Sequence, residues 1–316
     1  MHILCIIFIF CECYIFLRME REMSNTKRKR KWGDRKEGRK LRTIDPMFKV
    51  MPYIMRHRSD SQNFFTEKLD ITEAEKFCRE QIRSGRKNFS ILHVIIAAYI
   101  RVVSQRPAIN RFVSGQKIYA RNDIEVLMTI KKKMALDGEE TCVKVRFEPT
   151  DTIYDVYDKF NKIVEENKGD AEANNTEKMA KTLKHMPGWL LRFFVKLLNF
   201  LDYHGWLPQF ILDLSPFHGS LIITSMGSLG IRPIYHHIYD FGNLPVFVAY
   251  GAKQHGVKMD DEGNVKKYRY IEMKVTTDER ICDGYYFASA FKMVKKLFEN
   301  PSVLETPPEQ VIEDIE

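Results

Sequence analysis

The sequence predicts an α/β protein of two layers, an α+β two-layer sandwich in which a mixed sheet carries helices on one side. Three observations predict it. Helical and strand-like hydrophobic periods alternate along the chain, hairpin-type pairs interrupt that alternation, and residues 90–104 (SILHVIIAAYIRVVS) are apolar nearly all round, which calls for a helix buried at the centre of a domain. The 316 residues, 44% apolar and 29% charged, suffice for a large core without disulfides or a structural metal.

Residues 2–17 are apolar apart from Glu12, short for a membrane span, and lack a basic n-region and a small-residue cleavage site. Met19 and Met23 both suit as starts. Between Arg18 and Arg42 twelve Lys/Arg face four acids, so the net charge of +8 is a property of the leader and the rest of the chain is near neutral. A near-neutral body lacks the broad basic footprint of a nucleic-acid binder. The run Lys27-Arg28-Lys29-Arg30-Lys31 reads as a solvated leader, with attraction to a membrane surface as the alternative. Residues 1–42 are therefore expected outside the fold, followed by one domain over 43–302 and an acidic tail over 303–316. If residues 2–17 are a genuine anchor, the chain is membrane-tethered at its N-terminus.

A stretch containing Pro46 and Pro52 leads into residues 63–70, which alternate as a strand. Thr72, with Glu75 three residues on, forms a capping-box pattern that opens a helix. The central helix over 90–104 stops before Pro107, and His93 near its start reads as a core histidine. Residues 117–121 and 124–130 are β-rich runs joined at Asn122-Asp123, which reads as a hairpin. Residues 141–147 alternate Val143, Val145 and Phe147 against Lys144 and Arg146, a half-exposed strand. Residues 151–167 place Ile153, Val156, Phe160 and Ile163 at helical spacing. Residues 168–181 are polar, a surface loop or frayed helix. Residues 188–201 (GWLLRFFVKLLNFL) form an amphipathic helix with Arg192, Lys196 and Asn199 on one face, too short to span a bilayer. Core or subunit packing is the leading reading for it, and membrane contact or an acyl-chain groove the alternative. Strands over 220–226, 246–250, 254–259 and 265–277, then a helix over 285–298 ended by Pro301, complete the domain.

Six cysteines are present without CxxC or Cys/His metal spacing, so no metal is expected and the body reads as reduced and cytoplasmic. No Walker loop, GxGxxG, HExxH or GxSxG occurs. What stands out is Thr277-Asp278-Glu279-Arg280-Ile281-Cys282-Asp283-Gly284, where a long strand runs into an apolar helix. Charges clustered where a buried strand ends are costly unless paired or functional. Read alone, the segment is a strand-to-helix corner capped by Asp283.

Three segments, in order, give it a second reading. Residues 277–284 resemble the signature of the chloramphenicol acetyltransferase and dihydrolipoyl acyltransferase superfamily, in which a catalytic His stands shortly before an Asp-Gly pair. Residues 219–230 (GSLIITSMGSLG) resemble that superfamily's glycine-edged hydroxyl strand, and residues 88–104 with Pro107-Ala108-Ile109-Asn110 resemble its buried helix and the P-x-x-N after it. The resemblance covers roughly residues 45–300. It implies a chloramphenicol-acetyltransferase-like mixed sheet, a homotrimer with active sites between subunits, coenzyme A as acyl-CoA co-substrate, and a small-molecule or carrier-borne acyl acceptor. No lipoyl group is expected on this chain.

Carried over residue by residue, the resemblance puts Glu279 in the position of the catalytic His and Thr224 in that of the hydroxyl that binds the tetrahedral oxyanion. Ser225 is the fallback donor on the coenzyme A side. Asp283, next to Gly284, takes the structural role of pairing with an arginine, Arg58 first and Arg56 second. A carboxylate near pKa 4.3 facing a thiol near 8.5 is mismatched by about 4 units, roughly 5.7 kcal/mol for full proton transfer, and burial of Glu279 would recover about half. His236 and His237 offer the missing imidazole, with Glu279 orienting it, against the plainer reading of an exposed loop pair; His255 is a weaker candidate. The competing function is a binding or assembly protein that kept the fold and lost the chemistry.

Overall fold

The computed structural model describes residues 29–131, 140–166, 186–259 and 262–316. Ten strands are described: β1 (Gly38–Lys40), β2 (Gln62–Asp70), β3 (Arg111–Ser114), β4 (Lys117–Arg121), β5 (Ile124–Lys131), β6 (Glu140–Phe147), β7 (Leu221–Ser225), β8 (Val246–Tyr250), β9 (Gln254–Met259) and β10 (Val265–Asp278). The helices are α1 (Pro46–Ile54), α2 (Thr72–Arg83), α3 (Ile91–Gln105), α4 (Ile153–Glu166), α5 (Gly188–His204), α6 (Gln209–Leu214) and α7 (Gly284–Glu299). Seven strands build one sheet in the order β2-β10-β8-β7-β5-β6, with β9 pairing the start of β10. β7 runs parallel to both β5 and β8 while the other pairs are antiparallel, so the sheet is mixed as expected.

Alternation along the strands sorts the two faces. Val126, Val145, Ile223, Val248 and Val275 join the main core, where α3 lies buried among α2, α4 and α7. Their neighbours Leu127, Ile222 and Phe247 point the other way and form a smaller cluster with Ile238 and Leu244 of the loop after β7. His93 sits in the main core at 2% exposure, stacked on Phe89 and edge-on to Phe160, and its Nδ1 accepts from the Ser90 backbone N–H (3.0 Å). The capping box is therefore Ser90/His93.

Burial pushes the His93 pKa down to about 4 from an ordinary 6.5. Between those values the unfolded chain binds the proton and the folded chain refuses it, so stability is full above pH 6.5 and falls as the pH drops toward 4, by about 3 kcal/mol in all. His93→Gln keeps an acceptor for the Ser90 N–H and removes the titration. Urea midpoints across pH 4–7 should slope for the parent and flatten for this variant.

Several sequence readings change. β4 does not form a hairpin with β5; it pairs with β1 and β3 in a separate small sheet, while β5 enters the large one. The hairpin is β3–β4, turned at Gly115-Gln116 with φ of 55° and 58°, the conformation of a two-residue turn that follows strand twist. A Cβ on Gly115 would lie 2.3 Å from the Tyr203 carbonyl oxygen, so only glycine lets the end of α5 approach. At α2 the cap is not Thr72/Glu75. Asp70 accepts from the Thr72 N–H (3.0 Å) and hydroxyl (2.6 Å), and Glu75 is buried in ion pairs with Arg269 (2.7 Å) and Lys253 (2.6 Å).

Lys144 and Arg146 are partly exposed between buried Val143, Val145 and Phe147, as a half-exposed strand requires, but they do not stay unpaired. The Lys144 ammonium donates to Leu212 of α6 (2.7 Å), and Arg146 pairs with Glu125 (2.8 Å). Nor do residues 29–42 lie outside the fold. Strand β1 pairs with β4, and the tail folds back beside it: Arg42 N–H donates to Glu316 O (2.9 Å), Asp314 grips Arg111 (2.6 and 2.7 Å), and Ile312 N–H donates to Ser104 O (2.8 Å). Arg39 and Thr43 meet Ile315 and Glu316 across some 270 residues of chain, a pairing that neither segment shows by itself. Residues 1–28 and 168–181 lie outside the described residues.

Candidate active site

Strand β10 is the longest in the sheet and carries three charges at its end, and the structure divides their work. Asp278 (1% exposed) and Arg280 (2%) fold onto each other: Arg280 Nε donates to Oδ1 (2.8 Å) and Nη2 to Oδ2 (2.6 Å), a two-pronged charged contact. Ser61 Oγ donates to the same carboxylate (3.1 Å), and Arg280 Nη1 donates to Met55 O (2.9 Å). Arg58, also buried, lies with Nε 3.9 Å from Asp278 Oδ2 and donates to Asp240 O (2.8 Å) and Val113 O (2.9 Å). Burial first, opposed by Asp278 and aided by Arg280, pulls the Arg58 pKa down to about 10. It stays charged at neutral pH.

This corrects the expected pairing. Asp283 is exposed and does not meet Arg58; its Oδ1 accepts from the Tyr286 N–H (2.7 Å) as the cap of α7. The spacing explains why: Arg58 packs under the strand end, so it meets Asp278, whereas Asp283 lies beyond the turn. Gly284 is the first residue of α7, and open space surrounds the position of a Cβ there. Asp283→Ala should then cost about 1 kcal/mol, the worth of an N-cap, and thermal melting should place it well above any variant of Asp278. Arg56 supplies only its carbonyl to Arg280.

Glu279 stands on this platform. Its N–H donates to Ser61 O (2.9 Å), continuing the ladder with β2, and its half-exposed carboxylate accepts from Asn63 Nδ2 (3.0 Å). No hydrogen bond joins Glu279 to His236 or His237 among the described residues. His236 instead stacks on Phe247 (4.5 Å, 9° between planes), and its carbonyl accepts from Thr276 Oγ1 (2.5 Å). Burial and then the neighbouring His237 hold its pKa below the ordinary imidazole range. His237 is exposed against Tyr239, and His255 is on β9 opposite Arg269.

Thr224 and Ser225 follow one another on β7 and so point to opposite faces. Thr224 shares the face of Ile222 and Phe247, in register with Ala249 and, one strand further, Lys274. Ser225 faces the helices, in register with the partly buried Tyr250. Along the strand Glu279 is five residues past Lys274, which is on the order of 16 Å. Within one chain, Glu279 and Thr224 cannot both touch one reacting centre.

Sequence reasoning missed Asp278, Arg280 and Ser61 as a unit. Their signal was present in the cost of burying the run Asp278-Glu279-Arg280; what it lacked was the turn that lets residues two apart fold together.

Among solved structures the chain is similar to a probable dihydrolipoamide acetyltransferase from Listeria monocytogenes 4b F2365, at 15% identity, covering 83% of this chain and 95% of that one, with a TM-score of 0.51. It is similar also to a chloramphenicol acetyltransferase, at 14% identity, covering 82% of this chain and 99% of that one, with a TM-score of 0.51. The chain has the chloramphenicol acetyltransferase-like fold. No family model and no curated protein matches its sequence. The likeness is one of architecture. Among the described residues no group of His, Cys, Asp and Glu could hold a metal ion, and no helix is long and apolar enough to cross a membrane.

Proposed function

We propose that this protein is an acyltransferase that moves an acyl group between coenzyme A and a small or carrier-borne acceptor, with Glu279 as general base. The observation that carries the reading is a carboxylate held half-exposed at the end of β10, on a buried platform of Arg58, Asp278 and Arg280, in a fold that both acetyltransferases above share. Glu279 takes the proton of the acceptor's hydroxyl or thiol as that atom attacks the thioester carbonyl. The tetrahedral oxyanion accepts a hydrogen bond from Thr224, worth about 3 kcal/mol for one donor. The carbon–sulfur bond then breaks, and the coenzyme A thiolate takes back the proton.

Because Glu279 and Thr224 are far apart in one chain, the reading requires a second copy to bring its Thr224 face to this Glu279, and a closed ring of three meets that need with one repeated interface. A release assay for free coenzyme A thiol across short acyl donors tests it. The second reading, a binding or assembly protein with the chemistry lost, is favoured by the absence of an imidazole at position 279 and predicts binding without release.

A further inference from the structure

Helix α5 is apolar over most of its circumference, and no residue of it is buried. Trp189 is 73% exposed, Phe193 59% and Phe200 51%, with Trp206 just beyond at 60%. At about 100° per residue, Arg192, Lys196 and Asn199 share one narrow stripe, and roughly two-thirds of the remaining circumference is apolar or aromatic. Among the described residues, the side-chain and backbone bonds that tie α5 to the body come from its last turn: Asp202 to His218 (3.3 Å), Tyr203 O from Arg35 (2.6 Å), and Tyr203 hydroxyl to Gln116 (2.7 Å). Most side chains of the preceding turns are exposed. A partner helix covers one face of such a helix, whereas an arc this wide suits immersion in an apolar medium.

The foot of α5 stands among cations. Gln116 and Lys117 rim a cavity of about 330 Å³ that Lys40 and Lys49 also line. Burial and then Lys117, Arg42 and Lys49 hold the Lys40 pKa below its ordinary value, the mark of like charges gathered together. Beside them α1 exposes Met47, Val50, Tyr53 and Ile54. Arg35, four residues after the run Lys27–Lys31, donates to the Tyr203 carbonyl.

We infer that α5 seats this protein on an anionic membrane surface, with its aromatic arc at the acyl-chain boundary and the Lys40, Lys49 and Lys117 cluster against the headgroup phosphates. The helix lies in the interface plane and does not cross, in keeping with its length and its two cations. This inference does not rest on the acyl-transfer reading.

The test is sedimentation of the full chain with vesicles of phosphatidylcholine alone and with about one third phosphatidylglycerol, at low and high salt. Binding is expected to the anionic vesicles, weakened about tenfold or more by salt and by Lys49→Glu/Lys117→Glu, and about tenfold or more by Phe193→Glu/Phe200→Glu. All four positions are exposed, so melting curves should not move. Should the aromatic double variant fail to fold, quenching of tryptophan emission in the parent by brominated lipid reads the same contact. The inference is overturned if anionic vesicles do not retain the parent at low salt. It is overturned equally if the aromatic variant sediments as the parent does, which would assign the contact to residues 2–17. A parent assembly that light scattering shows and the aromatic variant disperses, without vesicle binding, would assign α5 to a second copy.

Discussion

Replacing Asp278 by alanine is expected to destabilise the fold by about 3–5 kcal/mol, the cost of leaving buried charge without its partner. Two guanidinium groups lose their counter-ion at once: Arg280, held by both carboxylate oxygens, and Arg58, 3.9 Å away. Arg58, whose pKa burial has already pulled down to about 10 with Asp278 beside it, is charged at pH 7 in the parent and loses the carboxylate that supports that charge. Urea unfolding should show a lower midpoint with an unchanged slope. If the alanine variant does not fold, Asp278→Leu combined with Arg280→Met should restore folding, because removing both charges removes the penalty. An Asp278→Ala protein that unfolds with the parent would mean that Glu279 has no rigid support, and the site would have to be placed elsewhere.

Glu279→Gln is expected to lower coenzyme A release by about 10²- to 10⁴-fold, the usual yield of general base catalysis, which is about 2.7–5.5 kcal/mol in the barrier. Glutamine keeps an acceptor for Asn63, so stability should hold while turnover falls. Glu279→His should be tolerated or should accelerate the reaction, because imidazole is better matched to a thiol. His236 sets the competing outcome. Its depressed pKa keeps it neutral at pH 7 and able to take a proton, so a larger loss in His236→Ala or His237→Ala than in Glu279→Gln would move the base to that loop. Turnover indifferent to all three, with coenzyme A still bound, would favour the binding protein.

Much of the sheet was readable because strands announce themselves locally. The alternation of Val143, Val145 and Phe147 marks β6, and the apolar run around Ile96 marks a helix that only a domain centre can house. Pairing was not readable in the same way. The Asn122-Asp123 junction looks like a hairpin turn in sequence, yet it carries the chain from one sheet to another, a matter decided by which edges are free after the rest has packed.

The residues of the site divide along the same line. By itself the sequence determined the two-layer α/β class and the capping of α7 by Asp283, since each depends on neighbours within a few residues. Only the tertiary structure decided that Arg58 meets Asp278 and not Asp283, that Thr224 and Ser225 serve opposite faces, and that α5 stands clear of the core. Those outcomes are set by contacts between segments more than a hundred residues apart, and by the pleat, which turns each successive side chain to the other side of the sheet.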